Sequence, residues 1–210
     1  MTSEADPPYP DLRDPRVLVA VAPERRAALA VLWAFAERLT ALLRDTSEPL
    51  IGQIKLAWWR DMMALLASDP AALPKGEPLL AALQAHWNGE GRLDALVDAA
   101  EALLLAEEDA ARRDAAATFG GALFALSGGE AAAGRRWGLF WGAALQREEG
   151  DARQLFADTR AASAPPRGAF AGQRALLMLD RWAAGIAARN GARHWRREGL
   201  QLFRLGLLGR

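Results

Sequence analysis

Residues 47–61 read Ser47-Glu48-Pro49-Leu50-Ile51-Gly52-Gln53-Ile54-Lys55-Leu56-Ala57-Trp58-Trp59-Arg60-Asp61. Ser47 carries a side chain suited to a helix N-cap, Glu48 favours the positive end of the helix dipole, and Pro49 presets the first turn. No further proline follows until Ser68-Asp69-Pro70, so the spacing predicts a helix from this start to about Ala67. Gly52 leaves room for a neighbouring helix. Trp58 and Trp59 point in adjacent directions, so one ring is expected in the core and the other partly exposed. Arg60 is placed to stack on the exposed ring or to form an ion pair with Asp61 of a neighbour.

The same punctuation recurs on both sides. Asp14-Pro15 opens a short helix to Ala22, and Pro23 opens one to about Arg44 with Leu29, Leu32, Trp33 and Ala36 on one face. Because the Arg44–Glu48 turn is short, the helices of Trp33 and Trp58 are expected to pack antiparallel. Downstream, Leu79–Trp87 is a short helix stopped by Asn88-Gly89, and Leu93, Leu96, Val97, Ala100 and Leu103 mark the next. Ala110–Leu126 is closed by Ser127-Gly128-Gly129, and within 130–148 Trp137, Phe140 and Trp141 form a core stripe at i, i+3, i+4. After a linker at 161–168, two helices are expected at 170–189 and 192–208, divided by Asn190-Gly191. Val, Ile and Thr together number only thirteen, so the fold class is all-α. One helical domain is expected over 14–210, preceded by a flexible, proline-rich arm at 1–13.

The chain has 210 residues, 51% hydrophobic and 25% charged, enough for one sizeable core. It contains no Cys, which excludes disulfides, thiolate metal sites and cysteine nucleophiles. With no signal peptide at Met1–Pro10, a cytoplasmic location is expected, peripheral on the inner membrane at most. The net charge of zero hides an asymmetry: from Arg160 to Arg210 there are ten Arg but only Asp180 and Glu198 as acids. The last helix is both basic and apolar, so an anionic membrane surface is an expected partner through Arg193, Arg196 and Arg197, while solvated helix faces are the alternative. No nucleic acid is expected. Neither lysine follows a glycine, which rules out a P-loop, and His86 and His194 lack metal-ligand spacing. Asp94, Asp98 and Glu101 alternate with Leu96 and Val97 as on an ordinary amphipathic surface helix.

One set of motifs is more specific. Ala22-Pro23, Arg25-Arg26, Leu32-Trp33-Ala34-Phe35 and the whole Ser47–Asp61 block resemble the first two main helices of the squalene/phytoene synthase family, the head-to-head prenyl synthases. Pro78-Leu79, the Leu93–Glu101 segment and Ala117–Gly128 extend the likeness in order, over about residues 14–145. The resemblance implies a helical bundle of the isoprenoid synthase type, shortened at its C-terminal end. In that family two aspartate-rich motifs hold Mg²⁺ against prenyl diphosphates so that the allylic C–O bond ionises. Here the family's Arg falls on Glu37, its paired aspartates fall on Thr40 and Ala41, and its last aspartate falls on Arg44. Asp45 stands one residue out of register. The second motif is reduced to Glu148 and Asp151 around Gly150, which weakens a helix there.

The Ser-Glu-Pro block beside a degenerate first motif is similar to the family's non-catalytic branch, which includes a respiratory complex I assembly factor. That likeness implies a binding or assembly protein without prenyl transferase activity or bound metal, with Trp33, Arg38, Ser47, Glu48, Gln53, Trp58, Trp59 and Arg60 as binding residues and a respiratory-complex protein as partner. An active Mg-dependent prenyl diphosphate transferase using Glu148 and Asp151, and a prenyl-lipid carrier that kept the apolar cavity, are the two alternatives.

Overall fold

Proline decides where the first helices begin, because it supplies the first-turn φ and needs no donor there. The computed structural model describes residues 12–87 and 92–208; residues 1–11 of the expected arm and the expected stop at Asn88-Gly89 lie outside them. Helix α1 spans Pro15–Leu18, where the Asp14 carboxylate accepts from the Arg16 N–H at 2.8 Å. A 3-10 turn at Pro23–Arg25 leads into α2, Arg26–Asp45. Pro49 starts α3, Pro49–Ser68, and Pro78 starts α4, Pro78–His86. There follow α5 (Asp94–Leu104), α6 (Asp109–Leu126), α7 (Ala131–Leu145), α8 (Glu149–Ala161), α9 (Arg174–Ala187) and α10 (Trp195–Leu208). Among the described residues the chain is all-helical and forms a single domain.

The centre of the bundle is the α6–α7 hairpin, where two backbones meet across glycine. A Cβ placed at Gly120 would lie 2.5 Å from the Gly138 Cα, and one at Gly134 or Gly138 would collide with the carbonyl oxygens of Gly120 or Ala116. Only residues lacking a side chain permit this approach. The large rings then fill the space on either side: Phe119 stacks on Trp141 with centroids 3.8 Å apart and planes 5° from parallel, and Phe124 lies against Trp137. Helix α5 packs on α6, α3 on α5, and α8 and α9 on α7, while α10 covers α9. The last link includes α1, which touches both α9 and α10.

The structure sharpens four expectations. The arm does not extend to residue 13, because Leu12 is buried and its N–H donates to Glu37 Oε1 at 3.3 Å. Helix α3 meets α2 through Trp59 on Phe35, as the expected pairing requires, but it packs more extensively on α5, where Gly52 faces Leu104. Gly150 does not prevent a helix at 149–161, because it sits in the first turn of α8, where its propensity cost is least felt and Leu155 and Phe156 are buried further along. The linker at 161–168 runs from the end of α8 into a 3-10 turn at Arg167–Phe170 and is held against the bundle: Pro165 is buried and its carbonyl accepts from Arg181.

Two buried acids organise the C-terminal third. Asp180 of α9 receives Arg136 of α7 through two hydrogen bonds, at 2.9 and 2.5 Å. Glu198 of α10 accepts from Trp182 Nε1 at 2.8 Å, from Arg193 Nε at 3.0 Å and from the His194 N–H at 2.6 Å. Burial pushes the Glu198 carboxyl up, yet these donors outweigh burial and hold its pKa below the ordinary 4.5.

Gly138→Val is therefore expected to lower stability by about 1–3 kcal/mol or more through overpacking. Gly150→Ala, whose added Cβ meets nothing within 4 Å, leaves stability unchanged or slightly raised. Chemical denaturation midpoints check both. Glu198→Gln is expected to cost about 1–3 kcal/mol at pH 7. Because the folded pKa is depressed, the carboxylate's contribution is complete above about pH 4.5 and is lost as the pH falls below it. The gap in melting temperature between wild type and Glu198→Gln should close over that acid range and stay constant above it.

Candidate functional site

Helix α3 carries more apolar side chains than one buried face can use. Leu56, Trp59, Met62 and Met63 are buried, while Leu50, Ile54 and Trp58, at i, i+4, i+8, are exposed at 68%, 63% and 39%. Exposed stripes of this kind on a helix need water removed from them to be stable. Beside the stripe, α2 and α3 line a groove of 560 Å³. It is floored by Leu42 and Trp59, walled by Ala41, Ile54 and Trp58, and edged by Arg38, Asp45 and Lys55.

The aromatic wall is held rigidly. Trp59 is 3% exposed, packs at 5.2 Å on Phe35 of α2 and lies under the Arg38 guanidinium, while Trp58 stands edge-on to it at 4.9 Å. Arg38 also reaches the Glu77 carboxylate at 3.3 Å. Within the chain, Arg60 bridges to Asp98 at 2.8 Å and Glu101 at 2.6 Å on α5, and these two bonds, that to Glu101 first, raise the guanidinium's pKa. The acids of α5 are thus a strut between α3 and α5.

The residues that the sequence resemblance set at metal positions are dispersed. Thr40 is 1% exposed; its hydroxyl donates to the Ala36 carbonyl at 2.7 Å and accepts from Trp141 Nε1 at 3.0 Å. Ala41 faces the groove, Arg44 pairs with Asp45 at 3.0 Å, and Glu37 holds the Leu12 N–H. Glu148 and Asp151 line another recess, of 240 Å³, with Arg112 and Arg147; Asp151 lies 3.4 Å from Arg112. Among the described residues, no three His, Asp or Glu side chains gather as a metal site. The bundle interior is filled by Trp33, Trp137, Trp141, Phe35 and Phe119, each at most 1% exposed.

Several expected binding residues take other places. Trp33 is core, with its indole N–H donating to Ser127 Oγ at 2.9 Å. Glu48, not Ser47, holds the N-cap position of α3, because Pro49 at the first helical position fixes the boundary; the Glu48 backbone carbonyl accepts from Ile51 and Gly52. Gln53 is half-buried on the flank of α3. The expected set omitted Leu50, Ile54, Lys55 and Asp45. The signal for the first two was present, in apolar residues spread almost all the way round α3.

The chain matches no protein-family model, no curated protein and no solved structure.

The two adjacent tryptophans separate packing from surface. Trp59→Ala is expected to cost about 3–5 kcal/mol, and Trp58→Ala no more than about 1 kcal/mol, most of it from the lost ring contact. Urea unfolding of the two variants checks the difference.

Proposed function

We propose that this chain is a non-catalytic, squalene/phytoene synthase-like protein that works as a binding or assembly factor, docking a helix of a protein partner on α3 and in the α2–α3 groove. The observation that carries the reading is the exposed row Leu50, Ile54 and Trp58 beside an open groove. A helix laid in such a groove buries its own apolar stripe against theirs. The rim carries both signs, Arg38 and Lys55 against Asp45, which suits the mixed charges of a protein surface better than a uniformly charged ligand. A respiratory-complex subunit is the partner that the sequence likeness suggests.

The absence of transferase activity follows in the same reading from side chains that are present. Ionising a prenyl diphosphate demands preorganised positive charge around the leaving group, and each lost partner is worth roughly 2–3 kcal/mol, about a hundredfold. Thr40 is committed to Trp141, Asp151 to Arg112 and Asp45 to Arg44.

Incubation with farnesyl or geranylgeranyl diphosphate and Mg²⁺ is expected to release no pyrophosphate above a heat-killed control; metal-dependent release would establish the transferase reading instead. Trp58→Ala and Ile54→Asp, which should fold normally, are expected to lose a specific protein retained by the wild type. Prenyl diphosphate binding that both substitutions abolish, with no protein retained, would establish the carrier reading.

A further inference from the structure

The basic C-terminal third separates into buried and exposed charge. Its two acids, Asp180 and Glu198, are 0% and 1% exposed and are enclosed by Arg136, Arg189 and Arg193. Arg193 is therefore not a free surface cation as the sequence suggested: it holds Glu198 and lies over the Trp182 and Trp195 rings. The exposed charges of residues 160–208 are all arginine.

On α10 the buried and exposed faces are both apolar. Leu202 and Leu205 pack inward, while Leu200, Phe203 and Leu207, at i, i+3, i+7, stand 60%, 63% and 64% exposed. Beside that row, Arg167 of the preceding 3-10 turn, Arg181 of α9, and Arg197 and Arg204 of α10 line a groove of 380 Å³, and no carboxylate lines it. Arg197 and Arg204, two turns apart, edge the apolar row, and Arg196 continues it at its N-terminal end. No helix among the described residues is long and apolar enough to cross a membrane.

We infer that the outer face of α10 docks on an anionic lipid bilayer, with Leu200, Phe203 and Leu207 entering the acyl boundary and the four-arginine groove receiving headgroup phosphates. Charge decides the occupant. A second copy would set arginine against arginine, and a water-soluble phosphate would leave the three exposed apolar side chains in water. A bilayer of acidic lipid satisfies both halves, since it offers negative charge at the depth of the guanidinium groups and hydrocarbon immediately below. This inference does not rest on the α2–α3 docking reading, which uses another face and a partner of mixed charge.

The test is co-sedimentation of the full chain with vesicles of equal parts phosphatidylglycerol and phosphatidylcholine, against phosphatidylcholine alone. Binding is expected only to the acidic vesicles and should weaken as salt rises, because screening shortens the reach of surface charge. Arg197→Gln with Arg204→Gln is expected to weaken it roughly tenfold or more. Phe203→Ser with Leu207→Ser should do the same while leaving the melting temperature near that of the wild type, since both side chains face solvent. Equal binding to the two vesicle types at low salt, or acidic-vesicle binding that neither double variant reduces, overturns the inference. So does a dimer in solution that Phe203→Ser dissolves, accompanied by no vesicle binding.

Discussion

The contact between the backbones of α6 and α7 is the constraint on which the remaining structure is built. Gly120, Gly134 and Gly138 bring two helices closer than any side chain would allow, with Phe119 stacked on Trp141 and Phe124 tilted against Trp137 along the hairpin. Those rings then dictate what their neighbours must supply. Trp141 needs an acceptor for its indole N–H and finds Thr40 on α2, and Trp33 finds Ser127 at the end of α6. Around this contact the rings and buried indoles pack closely, each with little or no exposure.

The same packing fixes what position 40 can hold. The Thr40 hydroxyl satisfies a buried tryptophan that lies 101 residues away in sequence. An aspartate placed there would put a charge at a site that is 1% exposed, and its desolvation would have to be met by new partners. The residue is now part of the core.

The helix starts were legible in the sequence wherever Pro or an acid-Pro pair supplied the chemistry, as at Pro15, Pro49 and Pro78. The all-α class followed from the scarcity of β-branched residues. Helix α8 was not legible, because its stretch is mostly polar, opens with a glycine in the first turn and buries only Leu155, Phe156 and Thr159. Nor was the packing of α3 on α5, which depends on Gly52 meeting Leu104 on a helix that follows half a hundred residues later. Arg60 shows the limit of local reasoning: its neighbours in sequence suggested a ring or Asp61, whereas tertiary packing brought Asp98 and Glu101 to it from α5. In the candidate groove, one buried and one exposed ring were expected of the Trp58–Trp59 pair without saying which was which, and Ile54, Lys55 and Asp45 became site residues only through the way α2 and α3 meet.

Net charge of zero is compatible with strongly one-signed surfaces when the minority charge is drawn inside. Glu198 is drawn in by Trp182, Arg193 and the His194 N–H, and Asp180 by Arg136, so each acid ties α10 or α9 to the bundle while subtracting nothing from the arginines left outside. Burying these acids therefore does two things at once: it fixes the last helices in place and it leaves their exterior positive. Helices α3 and α10 stand at opposite ends of the packing order, linked through α5, α6, α7 and α9. An apolar row bordered by both signs at one end and by arginine alone at the other gives the two ends different partners, because burying a charge without its complement costs more than the apolar contact returns.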